Sequence, residues 1–379
     1  MSNLVGPITH QCIMEAILKC ERWMKLTKVP IGGVALGVDL GEVLHKRKIL
    51  LDDLSGKSLA VDAYNTLYQF LAIIRQPDGT PLMDRQRRIT SHLSGILYRS
   101  TNLAEKGIRI VYVFDGQPPE LKEMEIKRRR KIREEAAVKY EAALKAGSTE
   151  DARKYAQATA TVKELMIEDS KRLLKGLGIP WVQAPSEGEA QAAHMALKGD
   201  VWAAASQDHD SLLFGAPRMV RNLTISGRRK LPNRQAYIEI EPEIVDLAET
   251  LTDLGLTREQ LVDVGILIGT DYNPDGIKGI GPKTALKLVR EFGDITAIAA
   301  RTSGLDLPDN VNRIKEFFLR PDVRSDYTLN WKKPSVDEVI DFLCRERDFS
   351  EDRVRKALER METGLASPAT KPTLDRYFG

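Results

Sequence analysis

Residues 185–210 read PSEGEAQAAHMALKGDVWAAASQDHD, and the rest of the chain is interpreted outward from this stretch. It carries two pairs of acidic residues, Glu187 with Glu189 and Asp208 with Asp210. A small-residue segment and a short apolar run separate the pairs and predict a helix followed by a buried strand. Four carboxylates at the ends of such elements repel one another unless a cation lies between them. Hard oxygen ligands favour Mg²⁺ or Mn²⁺ as that cation.

For the first pair a second interpretation stays open. Ser186 and Glu189 have the spacing of a capping box, which would make Glu189 a residue that starts a helix. The second pair lies just after the apolar run Val201 to Ala205, and no comparable helix-capping pattern explains its presence there. The second pair therefore favours a metal site over a helix cap.

Two further acids follow predicted strands earlier in the chain. Residues 58–63 predict a buried strand that ends at Asp62, and residues 109–114 predict another that ends at Asp115. A helix over residues 64–75 lies between them, and strand–helix–strand order predicts an α/β fold. We expect a mostly parallel, twisted sheet flanked by helices. Ligands of such sheets bind beyond the carboxyl ends of the strands, so the acids are expected at one rim.

Composition limits the class of protein. The chain has 379 residues, of which 42% are hydrophobic, and a net charge of only +3, so any nucleic-acid signal must come from local clusters. Its three cysteines predict neither a disulfide framework nor a zinc site. Charges interrupt residues 1–35, and the chain holds no apolar run of membrane-spanning length. We expect a soluble, cytoplasmic protein without a membrane partner or a targeting segment.

Residues 118–176 are highly charged and are broken at Gly147, which predicts two helices joined by a turn. The first helix carries a basic run, Lys127 to Arg133, with six basic residues in seven. Such a run is usually a solvated helix face. Here it begins shortly after Asp115, and a cationic helix beside an anionic pocket favours a polyanionic substrate.

A second recognisable unit covers residues 257–292. Two predicted helices flank a tight turn that contains Gly279 and Gly281. Glycines let backbone N–H groups approach a phosphate at the positive end of a helix, and Lys283 adds charge nearby. A helical turn that binds nothing uses glycine as well, so this pattern alone leaves both interpretations open. Asp271 lies in the loop before the turn and is the seventh acid assigned to the pocket.

Five motifs in order resemble one family, the flap endonucleases, which are structure-specific 5′ nucleases of replication and repair, and the archaeal branch in particular. The resemblance covers Gly37 to Phe378. The motifs are VDAYNTLYQF, VFDGQPPELK, APSEGEAQAA, SQDHDSLLFG and GTDYNPDGIKGIGPKTA. The resemblance implies removal of 5′ flaps from branched DNA, with 5′–3′ exonuclease activity, in Okazaki-fragment maturation and base excision repair.

The resemblance also implies two Mg²⁺ ions, for which Mn²⁺ can substitute. Two ions about 4 Å apart activate a water and stabilise the leaving oxygen of a phosphodiester. The first ion's ligands are Asp62, Asp115, Glu187 and Glu189. The second ion's ligands, some through water, are Asp208, Asp210 and Asp271.

By the same resemblance, Lys122 and Arg129 correspond to the basic pair that contacts the scissile phosphate, where they stabilise developing charge. Tyr68 corresponds to an aromatic residue on which a base stacks. Each has a plainer alternative. Arg129 can be a solvated helix residue, and Tyr68 can be a core tyrosine on an amphipathic helix.

The larger units carry implied roles too. The helices of residues 118–176 resemble an arch that a free 5′ end passes through, and the glycine turn resembles a duplex-binding helix-hairpin-helix unit that holds K⁺. The tail, residues 363–379, resembles a sliding-clamp peptide of pattern Q-x-x-L-x-x-aromatic-aromatic, in a protein that works as a monomer. Lys371 replaces its glutamine, which removes one hydrogen-bonding anchor. The peptide's remaining anchors are Leu374, Tyr377 and Phe378.

The N-terminal region of the chain differs from that of family members. Family members begin with Met-Gly-Val, which Leu36 to Val38 match here. We therefore expect an extension over residues 1–36, hypothetically an upstream read-through, before a nuclease domain over residues 37–362.

Three alternative functions were weighed. A related 5′ nuclease could prefer a gap or a bubble, but such relatives carry longer insertions than residues 118–176. A non-catalytic DNA-binding scaffold would be expected to lose some acids, and all seven positions hold Asp or Glu. A metal-dependent phosphatase would need neither the glycine turn nor a clamp peptide.

Overall fold

The computed structural model describes Val38 and residues 40–76, 78–224, 227–230, 237–302 and 307–366. The predicted extension over residues 1–36 lies outside the described residues, as do the four predicted clamp-binding residues of the tail, Lys371, Leu374, Tyr377 and Phe378. No helix in the described part of the chain combines the length and apolar character that a membrane span requires.

Strands and helices alternate through the first half, and helices dominate the second. The strands are β1 (Arg47–Lys48), β2 (Ser58–Asp62), β3 (Arg109–Phe114), β4 (Trp181–Gln183), β5 (Ala203–Ala205), β6 (Arg218–Arg221), β7 (Gly227–Lys230), β8 (Tyr237–Ile240) and β9 (Glu243–Asp246). The first seven helices are α1 (Ala63–Ile73), α2 (Ser91–Glu105), α3 (Glu123–Lys145), α4 (Thr149–Ala158), α5 (Glu164–Gly176), α6 (Gly188–Leu197) and α7 (Asp210–Leu213). The later helices are α8 (Leu247–Leu254), α9 (Arg258–Ile268), α10 (Pro282–Phe292), α11 (Ile295–Arg301), α12 (Val311–Leu319), α13 (Val336–Ile340) and α14 (Glu351–Ala366).

Seven strands form one sheet in the order β1-β9-β6-β5-β2-β3-β4. The five strands from β6 to β4 are parallel, whereas β9 is antiparallel to both β6 and β1. The predicted mostly parallel sheet is therefore confirmed. Strand order reverses between β2 and β5, so the carboxyl ends of β2, β3 and β5 lie side by side at the place where ligands of such sheets bind.

Both faces of the sheet are covered, which explains why its central strands are continuously apolar. Alternation along β2 points Leu59 and Val61 to one face and Ala60 to the other. The Leu59 face packs against α1, α2, α5 and α14. The Ala60 face packs against α6, α9, α10 and α12. A sheet held from both sides is a rigid frame for whatever its strand ends carry.

Most strand predictions were accurate, and one was too long. Residues 109–114 form β3 as predicted, but the apolar run of residues 201–205 is a strand only from Ala203. The residues before Ala203 belong to the bend that leads out of α6, and pairing with β2 begins at Ala203 and Leu59.

The prediction of two helices over residues 118–176 was wrong, since the segment forms three, α3, α4 and α5. The predicted break at Gly147 is present, with a positive φ of 70°. A second break follows α4, where Thr159 bonds its hydroxyl back to the carbonyl of Ala156 instead of continuing the helix. Helix α5 buries Ile167 and Leu174 in the main core, so it belongs to the body of the domain.

The predicted helix pair of residues 257–292 is confirmed as α9 and α10. Thr257 accepts a hydrogen bond from the backbone N–H of Gln260, and the Gln260 side chain completes the capping box. Between the helices, Gly279 has a φ of 84°, a conformation that other residues adopt only with strain. The turn therefore depends on this glycine.

Candidate active site

A cavity of about 460 Å³ opens at the carboxyl ends of the parallel strands, between the sheet and α3. Residues of α3 and the turn before it, among them Lys122 and Arg129, form the opposite wall. Six of the seven predicted acids line the cavity, namely Asp62, Asp115, Glu187, Glu189, Asp208 and Asp271. The seventh, Asp210, is buried at 4% exposure beside them.

The first two acids are fixed by the strand ends and by the helices that follow. Asp62 is the last residue of β2, and its Oδ1 accepts the backbone N–H of Asn65 at 3.0 Å. Asp115 directly follows β3, and its Oδ1 accepts the backbone N–H of Gly188 at 2.7 Å. Each carboxylate is therefore held at the positive end of a helix, which stabilises its charge.

Gly188 is a site residue that the sequence analysis missed. A Cβ at this position would lie 2.5 Å from Oδ1 of Asp115, so only glycine lets the first turn of α6 approach that carboxylate. The signal was available, because Gly188 separates the two acids Glu187 and Glu189. Close approach across the sheet, however, becomes visible only once β3 and α6 are neighbours.

The capping-box interpretation of Glu189 was wrong. Helix α6 is capped at Glu187, without a side-chain hydrogen bond at the cap. The carboxylate of Glu189 instead accepts a hydrogen bond from the hydroxyl of Ser206, which follows β5. Glu189 is thus directed at the neighbouring strand end, where the second acid pair begins.

The second acid pair is held from three directions. Asp208 accepts a hydrogen bond from the side-chain amide of Asn65 at 2.9 Å, and its backbone N–H donates to Ser206 at 3.1 Å. Asp210 accepts the backbone N–H of Val38 at 2.9 Å. Asn65 and Ser206 were also missed by the sequence analysis, because polar residues next to acids have no distinctive spacing.

Burial raises the pKa of several of these carboxyl groups. It raises the pKa of Asp62 to about 6 and that of Asp210 to about 7. The pKa values of Asp115, Glu189 and Asp208 rise well above the ordinary range, through burial first and repulsion by neighbouring carboxylates second. A cation bound among these carboxyl groups would favour their ionised forms.

Two basic side chains lie among the carboxylates. Lys122 donates to Glu187 at 2.7 Å and lies 3.1 Å from Oδ2 of Asp271. Arg129 donates from Nη2 to both oxygens of Asp271 at 2.8 Å. Burial opposes the charge of both bases, but the acids outweigh it and raise the pKa of each. Lys122 and Arg129 therefore stay charged.

The donor set fits a hard divalent cation. All seven candidate ligands are carboxylates, which suit Mg²⁺ or Mn²⁺ and do not suit a soft metal. Across residues 38–366, as far as they are described, no three His, Cys, Asp or Glu groups are already arranged to hold an ion. Glu187 contacts Lys122, and Asp271 contacts both Lys122 and Arg129.

The remaining predicted site residues occupy two places. Tyr68 lines the cavity from α1 and also packs against the core cluster that contains Leu71, a place compatible with either of its two interpretations. Gly279, Gly281 and Lys283 lie in the turn and first residues of α10, away from the cavity lining. A Cβ at either glycine would meet no atom within 4 Å, so the backbone of this turn is open to a ligand.

Comparisons with known proteins agree on one family. Family models for the XPG N-terminal domain and the XPG I-region match residues 39–136 and 178–271. Flap endonuclease 1 of Pyrococcus abyssi is 55% identical over 343 residues, which span 90% of this chain and 98% of that protein.

Two solved structures are also similar. Flap endonuclease-1 from Methanococcus jannaschii is 43% identical, with a TM-score of 0.68 over 87% of this chain and 99% of that one. The catalytic core of Rad2 in complex with DNA substrate is 25% identical, with a TM-score of 0.63 over 85% of this chain and 97% of that one. This chain is more than half identical in sequence to an archaeal relative over nearly the full length of that relative. It therefore belongs to the flap endonuclease 1 family.

Proposed function

We propose that this chain removes 5′ flaps from branched DNA by hydrolysing one phosphodiester bond with the help of two divalent metal ions. Membership of the family makes the chain a structure-specific 5′ nuclease. The observation that carries the metal-dependent mechanism is the cavity itself, in which acids from three strand ends and from α6 face basic residues of α3.

The donor chemistry supports a division of the acids between two ions. The first ion is assigned to Asp62, Asp115, Glu187 and Glu189. The second is assigned to Asp208, Asp210 and Asp271. When bound, Mg²⁺ or Mn²⁺ supplies activation of a water and neutralisation of charge on the phosphodiester.

The two basic residues neutralise the substrate. Lys122 and Arg129 contact Glu187 and Asp271, and both remain protonated. A substrate phosphate and its metal ions compete for the same groups. We therefore assign both residues to the scissile phosphate, where a preorganised positive charge stabilises the transition state.

The wall formed by α3 and α4 is assigned to the single-stranded flap. This arch carries the basic run from Lys127, and its inner side adds Ile126 and Ile132 to the cavity lining. Cations follow a phosphate backbone, whereas apolar and aromatic groups such as Tyr68 accept bases. The mixture supports binding of unpaired DNA over binding of a duplex.

The glycine turn between α9 and α10 is assigned to the duplex part of the substrate. Its open backbone at Gly279 and Gly281, next to Lys283, supports contact with a phosphate at a helix N-terminus. We assign K⁺ to the same turn, on the family resemblance alone.

The tail pattern supports docking on a sliding clamp, with the chain itself working as a monomer. The four residues concerned, Lys371, Leu374, Tyr377 and Phe378, follow α14 in sequence. An aliphatic and two aromatic residues at this spacing are typical of a peptide that docks as one helical turn.

The function is tested with an end-labelled double-flap DNA, incubated with and without Mg²⁺, and with a fully paired duplex of the same length as control. We expect a product that maps to the base of the 5′ flap, and only when Mg²⁺ is present. Equal cutting of flap and duplex, or cutting in EDTA, would contradict the proposal.

A further inference from the structure

Glu125 is a buried acid on an otherwise exposed helix. Of the 23 residues of α3, only Glu125, Ala136 and Ala143 are buried. The Glu125 side chain is 1% exposed. A carboxylate withdrawn from water is unfavourable unless it is paired, so its place on a solvent-facing helix calls for an explanation.

One oxygen of Glu125 accepts a hydrogen bond and the other does not. Oε1 accepts the Nε–H of Arg129, one helical turn later, at 2.7 Å. Oε2 is buried and has no hydrogen-bond partner among the residues that the structure describes. Nη1 of Arg128 lies 4.0 Å from Oε2, which is too far for a hydrogen bond. Among the described residues, Arg129 therefore makes the one close contact with this carboxylate.

Arg129 is held from two sides by different parts of the fold. Its Nε faces Glu125 on its own helix, and its Nη2 faces both oxygens of Asp271 on the loop before the glycine turn. Asp271 is one of the proposed metal ligands, so a bound cation weakens its contact with Arg129. Glu125 does not line the cavity, and its contact with Nε is unaffected by a metal ion at the rim.

We propose that Glu125 is a positioning residue, which keeps the guanidinium of Arg129 inside the cavity when Asp271 binds a metal ion and loses its contact with Arg129. With Nε fixed, the Nη side of the guanidinium faces the cavity and is presented to a phosphate. This role rests on the proposed contact of Arg129 with the substrate. Without Glu125, the long Arg129 side chain would rotate out of the cavity into solvent once its contact with Asp271 was lost.

The chain offers a matched control for helix stability alone. Glu351 and Arg355 in α14 have the same spacing and a similar Nε–Oε1 distance of 2.8 Å. Both are about half exposed, at 51% and 47%, and they lie outside the cavity lining. Glu351→Leu therefore removes the same kind of pair without touching the site.

The test compares Glu125→Leu with Glu351→Leu, because leucine, unlike glutamine, cannot accept the Nε–H of arginine. Cleavage of a flap DNA is measured in single turnover with saturating enzyme and Mg²⁺, and DNA affinity is measured separately by fluorescence anisotropy in EDTA. For Glu125→Leu we expect cleavage to slow by about 10- to 100-fold, the usual effect of losing a residue that orients a functional group. DNA affinity should change less than about twofold, and Glu351→Leu should behave as wild type.

A double-mutant cycle shows whether Glu125 acts through Arg129. In an Arg129→Ala background, Glu125→Leu should cause no further loss of cleavage rate. It should also raise the melting temperature of that background, because Arg129→Ala alone leaves a buried carboxylate without its hydrogen bond. Additive losses of rate would overturn the proposal and assign Glu125 to helix stability.

The outcomes separate this inference from the proposed function. If the wild-type chain cuts the flap and Arg129→Ala is slow while Glu125→Leu matches wild type, the positioning role is wrong and the nuclease function stands. If the wild-type chain leaves the flap intact with Mg²⁺, the proposed function itself fails. Circular dichroism of each variant confirms that a loss of rate occurs in a folded protein.

Discussion

The two walls of the cavity are built in opposite ways. On the sheet side, Asp62 and Asp271 are 8% and 9% exposed and are carried by a core that packs on both faces of the sheet. On the α3 side, Lys127 and Arg130 are 73% and 77% exposed, and few residues of the helix are buried. One wall is fixed by hydrophobic burial, whereas the other is connected to the site mainly by charge.

The difference suits the rigid, acidic wall to the reaction itself and the charged wall of α3 to the attraction of DNA. Buried acids with raised pKa values form a site that is unfavourable until cations enter, and the rigid sheet prevents the acids from moving apart. A charged helix with little burial can shift at small cost while a strand of DNA enters. We therefore expect substitutions at the rim to remove the reaction and substitutions on α3 to slow it.

The largest effect is expected at the rim. Asp208→Ala removes a ligand of one proposed metal ion and should lower the single-turnover cleavage rate by about 1,000-fold or more, since metal activation of the water is lost. DNA affinity should stay within a few-fold of wild type because α3 and the glycine turn are intact. Cleavage at a rate near wild type would show that Asp208 is not a ligand.

The next effect is expected on α3. Arg129→Ala should slow the chemical step by about 100- to 1,000-fold, the usual result of removing one preorganised charge from a transition state. Binding should weaken much less. Equal losses in single-turnover and binding assays would show that Arg129 only attracts phosphate in general. The α3 wall would then contribute to binding and not to the chemical step.

Stability of the metal-free protein should fall as pH rises from about 6.5 to 8. The folded-state pKa of Asp210 is about 7, far above that of an unfolded aspartate, so the folded protein binds more protons across this window. Each such group lowers the free energy of unfolding by up to about 1.4 kcal/mol per pH unit.

The measurement is urea denaturation in EDTA at the two pH values, with a parallel series in Mg²⁺. Mg²⁺ should remove the loss of stability at pH 8, because cations replace the protons. Below pH 6.5 the buried His92, whose pKa is lowered to about 3, contributes in the opposite direction, because the unfolded chain takes up the proton there. The comparison is therefore made above pH 6.5, where an unfolded histidine is mostly neutral. A metal-free protein that becomes more stable toward pH 8 would contradict the raised carboxylate pKa values.

The smallest effect on basal activity is expected at the tail. Removing residues 367–379 should leave flap cleavage in Mg²⁺ unchanged, because the cavity lining ends well before them. Stimulation of cleavage by the cognate sliding clamp should be lost. A truncated enzyme that the clamp still stimulates would exclude this segment as the docking peptide.

The sequence by itself determined the parallel sheet, most element bounds and the acids of the rim. Burial of a sheet on both faces requires continuous apolar strands. Asp62 ends one of these strands, and Asp115 directly follows another. Capping and glycine signals are equally local, so the bounds of α9 and α10 were predicted closely. Such features depend on neighbours in the chain, which a sequence displays.

Only the tertiary structure decided the contacts that cross between elements. The fit of Gly188 against Asp115, the hydrogen bond from Ser206 to Glu189 and the pairing of Arg129 with Asp271 join residues that are far apart in sequence. The third helix in residues 118–176 also escaped prediction, since α5 is stabilised by the main core. The distances between these residues and their burial are set when the strands and helices pack together, and no local pattern of residues encodes them.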